Sequence, residues 1–248
     1  MFLVNRFRAL CAAGLLGLSL ASCATLDVAY ANVGLQGPAE QLPVSKFDKQ
    51  NAAYQKAGRY YLRGRDKILA QLDKKYPGFR ADILNGDGET IKPAVQRLQA
   101  KEVPSMYWAA AGWLSAFSLE PLNIDLMSTV SGAVALLERG AELDPDYSNG
   151  AIWDALCAYY AAAGDFGGDR ERARYCFEQS LRASKGKSPG PYVTWAQSYC
   201  VPMQDLAGFE ETLQKALSVK GGGLLSSRAR KKARWLLENK ENFFVIWD

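Results

Sequence analysis

From Phe47 onward, apolar and small residues return every three or four positions over stretches several helical turns long, and each stretch stops at a proline, glycine or aspartate cluster. That periodicity predicts amphipathic helices. In the first, Tyr54, Ala57, Gly58 and Tyr61 share a face with Ile68, Leu69 and Leu72, and Tyr76-Pro77-Gly78 ends it. A turn at Asn85-Gly86-Asp87-Gly88 follows, then a short helix started by Thr90 and Pro93 and running to Ala100. Pro104 opens a helix with Trp108, Ala111, Gly112 and Ser115, and its partner, from Met127 to Leu143, places Ala133, Leu137 and Gly140 against it. After Asp144-Pro145 a helix from about Ala151 carries Trp153, Leu156, Cys157 and Tyr160, and Asp169 caps the next, which holds Ala173 and Phe177. Tyr192, Trp195, Ala196 and Tyr199 precede a helix with Phe209, Leu213 and Ala216. Ala229, Ala233, Leu236 and Leu237 form one face of the last helix, and Phe243, Phe244, Ile246 and Trp247 are expected to fold back onto the last unit. No alternating pattern competes, so the expected fold class is all-α.

The order aromatic, small, small, aromatic, followed by an A-x3-F helix, is the tetratricopeptide pattern. The aromatic starts at Tyr54, Trp108, Trp153 and Tyr192 are unevenly spaced, which predicts four irregular helical hairpins rather than a regular solenoid. A mid-helix glycine such as Gly112 costs about 1 kcal/mol relative to alanine, so close approach of a partner helix should account for it. In a curved array the first helices line the concave side, with positions one and five after each aromatic start facing inward. Gln55, Arg59, Ala109, Trp113, Asp154, Ala158, Val193 and Gln197 are therefore the candidate groove, suited to a hydrophobic organic acid with its head near Arg59. The competing reading puts Trp113 in the core and leaves Arg59 and Asp154 merely solvated.

Composition narrows the chemistry. Of 248 residues none is histidine, which excludes Ser-His-Asp and Cys-His catalysis and histidine-ligated zinc. The formal net charge of +4 includes Arg6 and Arg8, so nothing global favours nucleic acid. Arg228, Lys231 and Lys232 are read either as a patch for an acidic lipid or partner or as the solvated face of a capping helix. Gly221-Gly222-Gly223 lacks the lysine of a phosphate loop and is a linker. No cofactor, metal site or enzyme activity is expected. Cys157, Cys176 and Cys200 fall among apolar neighbours and read as buried thiols, at most two of them bridged.

At the N-terminus, two arginines precede the apolar run Ala9 to Leu20, too short to span a bilayer, and Leu20-Ala21-Ser22-Cys23 follows. This resembles a lipoprotein signal, with Cys23 the acylated residue; a secretory cut after Ala29-Tyr30-Ala31 also fits but leaves a long stretch behind the apolar run. Two or three acyl chains hold a protein stably at a membrane. The expected organisation is a signal over 1–22, a lipidated tether over 23–45, where Gly34, Gly37, Pro38 and Pro43 interrupt the pattern, and a helical domain over 46–248. Ala24 after the cysteine resembles lipoproteins sent on to an outer membrane.

The succession YLRGRDKILAQLDKKYPGF, PSMYWAAAGW, ALLERGAELDPDYSNGAIW, RARYCFEQSLRAS, VPMQDLAGFEETLQKAL and RKKARWLLENKENFF resembles the TatT family, tetratricopeptide lipoproteins of tripartite ATP-independent periplasmic (TRAP) transporters, from about Phe47 to Phe244. The resemblance implies an all-helical, periplasm-facing lipoprotein that pairs with the transporter's solute-binding subunit, with a central hydrophobic passage and trimeric assembly. Family members often carry a histidine soon after the glycine that follows DPDY; here Gly150 leads to Ala151-Ile152-Trp153, so no role of that histidine transfers. A structural envelope scaffold using the same concave surface is the alternative function.

Overall fold

The computed structural model describes residues 23–162 and 168–245, and among them every regular element is helical. The expected signal segment, most of the expected turn after Ala162, and Ile246 and Trp247 lie outside the described residues. What is described forms an array of helical hairpins that divides into two compact units at Asp144 and Pro145.

The first unit contains α1 (Cys23–Tyr30), a π-helical turn (Ala31–Gln36), α2 (Gly37–Glu40), α3 (Phe47–Lys75), α4 (Phe79–Leu84), α5 (Gly88–Gln96), α6 (Val103–Leu119) and α7 (Ile124–Leu143). At its centre is α6, with α3 and α7 packed against it. Its residues from Ala109 to Ser118 are all buried, so over this stretch the helix has no solvent face. Close approach accounts for Gly112: a Cβ there would lie 3.0 Å from the Tyr61 carbonyl oxygen and from Val28 Cγ2. At Gly132 a Cβ would lie only 2.3 Å from the Ile83 carbonyl oxygen, which lets α7 meet α4. The α7 helix begins at Ile124, earlier than Met127, because Asn123 caps it by accepting a hydrogen bond from the Leu126 N–H at 3.2 Å. Similarly, Asp87 caps α5, leaving Pro93 inside that helix instead of at its start.

Residues 23–45 depart from the expected tether. Ala24, Val28 and Ala31 are buried, and α1 lies along α3, seated on Gly64, where a Cβ would stand 2.6 Å from Val28 Cγ2 and 2.8 Å from the Ala24 carbonyl oxygen. Polar contacts complete the seam: the Tyr61 hydroxyl donates to Gln36 Oε1 at 2.6 Å, and Gln50 donates to the Ala39 carbonyl at 2.9 Å. Pro38 does not interrupt a helix, since it sits in the first turn of α2, where no N–H is needed.

The second unit contains α8 (Ala151–Ala162), α9 (Arg170–Ala183), α10 (Gly190–Trp195) continued by a π-helical segment (Ala196–Cys200), α11 (Leu206–Ser218) and α12 (Leu224–Glu238). A left-handed turn precedes α8, with Gly150 at φ 87°. There the backbone passes so close to α9 that a Cβ would lie 3.0 Å from the Ser180 carbonyl oxygen, while the Ser180 hydroxyl donates to the Gly150 carbonyl at 3.2 Å. Asp169 caps α9 as expected, accepting from the Arg172 N–H at 2.9 Å. Val193, Phe209, Leu213, Ala233 and Leu236 centre the core of α10, α11 and α12. Phe244 folds back onto it, edge-on to Phe209 with ring centroids 4.9 Å apart. The tail is held by Gln204, whose amide donates to the Phe243 carbonyl and accepts from the Val245 N–H.

Candidate functional site

Arg59, Leu62, Arg63, Asp66, Lys67 and Ala70 recur every three or four residues along one face of α3 and line an open depression of about 540 Å³. The charges around it are largely matched. Asp27, reaching over from α1, accepts from Arg63 Nε at 2.8 Å and from Lys67 Nζ at 2.9 Å. Those bonds, from Arg63 above all, outweigh the opposing effect of burial and hold the Asp27 carboxyl below the ordinary carboxylate range. Asp66 accepts from its neighbour Arg65, at 2.9 Å from Nε and 2.8 Å from Nη2. Arg59 is left exposed with no acidic partner among the described residues. The depression therefore has a free guanidinium at one end and the aliphatic surface of Leu62 and Ala70 along its floor. Chemically, it can take a carboxylate attached to an apolar body.

Gln55 lies one turn before Arg59 and is likewise exposed. Ala109 and Trp113 are not at this surface: both are completely buried, because α6 is covered on every side over this stretch. The Trp113 ring is covered by the Arg65 guanidinium, 4.8 Å from its centroid, and its Nε1 has no hydrogen-bond partner among the described residues. In the second unit, Asp154, Ala158 and Val193 are buried and Gln197 is half-buried. Thr194 Oγ1 donates to Asp154 Oδ2 at 3.1 Å. Burial pushes the Asp154 carboxyl up to about 7, with the Thr194 hydrogen bond opposing it. Five of the eight residues expected to line a groove are thus interior, and the one-and-five register holds only on α3, which keeps a solvent face.

Leu62, Arg63, Asp66, Lys67, Ala70 and the Asp27 that reaches them were missing from the expected set. The five on α3 could have been found by continuing the three-and-four spacing from Arg59; Asp27 could not, because its stretch read as a tether. Cys23 is the exposed first residue of α1. Cys157, Cys176 and Cys200 are buried and in no disulfide; burial raises Cys157 well above the usual range and Cys200 to about 12, far from a reactive thiolate.

The profile of the family described as TRAP transporter T-component matches residues 17–244. The chain belongs to that family. A protein of Treponema pallidum (strain Nichols), described only as uncharacterized, is 39% identical over 235 residues, covering 92% of this chain and 72% of its own length. As a T-component, the chain is an accessory part of a TRAP transporter in the cell envelope, in a family that is not a known family of enzymes. No helix of the described residues is long and apolar enough to cross a membrane.

Proposed function

We propose that this T-component is a periplasm-facing lipoprotein, tethered through Cys23 to the outer membrane, that docks the transporter's solute-binding subunit and receives the carboxylate of a hydrophobic organic acid at Arg59. The observation that carries the ligand part is the unpaired Arg59 guanidinium beside Leu62 and Ala70 in an open depression whose other cations are already engaged by Asp27. A charge-assisted contact to one guanidinium contributes about 1.5–3 kcal/mol, enough to select an acid over the matching alcohol by at least tenfold. The irregular tetratricopeptide-like helical hairpins supply the docking surface.

Calorimetric titration of the purified protein with decanoate and with decanol tests the ligand part. Decanoate should bind saturably and at least tenfold more tightly than decanol, and Arg59→Glu should abolish that preference while leaving the helical circular dichroism intact. Equal affinity of the wild type for acid and alcohol, or an unchanged preference in Arg59→Glu, refutes it. Docking is tested separately by capture of the purified solute-binding subunit; no capture at micromolar concentrations refutes that part alone.

A further inference from the structure

Between α8 and α10 the second unit buries a carboxyl without a counter-charge. Asp154 is 5% exposed, Thr194 2% and Ser198 0%. One carboxyl oxygen accepts from Thr194, while Asp154 Oδ1 and Ser198 Oγ have no partner among the described residues. Thr194 and Ser198 are one turn apart, so they share the face of the α10–π segment that meets α8. Among the described residues no cation pairs with this carboxyl. The charged residues of α9 are exposed, Arg172 being stacked on the Tyr160 ring of α8 at 4.2 Å and not bonded to Asp154, and Gly190 to Cys200 carries no lysine, arginine or acid. The ionisable groups close by are the thiols of Cys157, on the same helix, and Cys176, on α9. An isolated anion in such surroundings is costly enough that the group takes up a proton instead. Ser198 also sits in the π-helical segment, a wider and less regular coil than the helix it continues.

We propose that Asp154, Thr194 and Ser198 form a proton-binding latch: the carboxyl is protonated while α8 and the α10–π segment are closed on each other, and release of that proton to solvent opens the segment locally. Closed, the neutral carboxyl accepts from Thr194 and keeps an O–H to donate. Deprotonated, it is a buried anion with one hydrogen bond, and admitting water between the helices relieves it. The value of about 7, against 3.8 for the free side chain, places the transition around neutrality. Linkage between a closed state with the first value and a hydrated open state with the second makes opening about thirtyfold more favourable at pH 8.5 than at pH 5.5.

Amide hydrogen exchange of the full chain, corrected for the intrinsic pH dependence of exchange, reads this directly. Protection of residues 193–200 should fall about thirtyfold between pH 5.5 and pH 8.5 in the wild type and stay flat in Asp154→Asn, whose neutral amide cannot ionise. A wild-type protection that does not change with pH, or the same fall in Asp154→Asn, overturns the latch. Should that variant fail to fold, the carbon chemical shift of the Asp154 carboxyl in the wild type decides: titration near neutrality supports the latch and titration below pH 5 overturns it.

Discussion

Gly58, Gly112 and Gly132 look alike along the chain, yet their surroundings give a methyl group opposite effects. A Cβ at Gly58 would find only Glu120 Oε1, at 3.8 Å, so Gly58→Ala should stabilise by up to about 1 kcal/mol through helix propensity. At Gly132 the same methyl would meet the Ile83 carbonyl at 2.3 Å, and overpacking of that kind costs about 1–3 kcal/mol, more than propensity returns. Urea unfolding of the two variants should shift the midpoint in opposite directions; a common direction would refute the close-approach account. Asp154 sets a pH dependence at the same scale. Because its folded value is raised, its penalty is absent below pH 3.8, grows as pH rises and is complete above about 7. At 1.36 kcal/mol per unit the full penalty is on the order of 4 kcal/mol. Asp154→Asn should therefore gain stability relative to the wild type as pH is raised from 4 to 8, with the difference levelling off above 7, as measured by urea unfolding across that range. A constant difference would count against a raised carboxyl.

Among the elements, α1 shows how a short helix is held by contacts its own sequence does not announce. Its eight residues have little amphipathic pattern, and its burial depends on Gly64 and Gly112 making room for Val28 and on Asp27 reaching Arg63 and Lys67. Asp27→Ala removes both ion pairs and leaves two half-exposed cations that water can solvate. Limited proteolysis should then cut the 23–46 region several-fold faster, with α6 and α7 unaffected; an unchanged cleavage rate would show that apolar seating alone secures α1. By contrast α3, α9, α11 and α12 were legible from spacing and caps, since each has a distinct solvent face. Where a helix is buried all round, as α6 is from Ala109 to Ser118, periodicity marks a helix but not which side meets what, and Ala109 and Trp113 were placed at a surface for that reason.

Attachment to the envelope belongs to the whole chain. The proposed lipid tether places membrane attachment at Cys23, the exposed first residue of α1, since two or three acyl chains suffice to hold a protein at a bilayer. Cys23→Ala should move the protein from the membrane to the soluble fraction and abolish labelling by radioactive palmitate; retention in the membrane fraction would refute the anchor. The all-helical class, most helix positions and the absence of histidine were determined by the sequence alone, because periodicity, caps and turn residues act locally along the chain, and the succession of motifs carried the resemblance to the family. Tertiary structure alone decided that 23–40 is a packed helical layer, that Asp27 occupies two cations of α3 and leaves Arg59 free, and that Asp154 is enclosed against Thr194. The reason is physical: burial and charge pairing depend on which faces meet across tens of residues, and no local pattern carries that information.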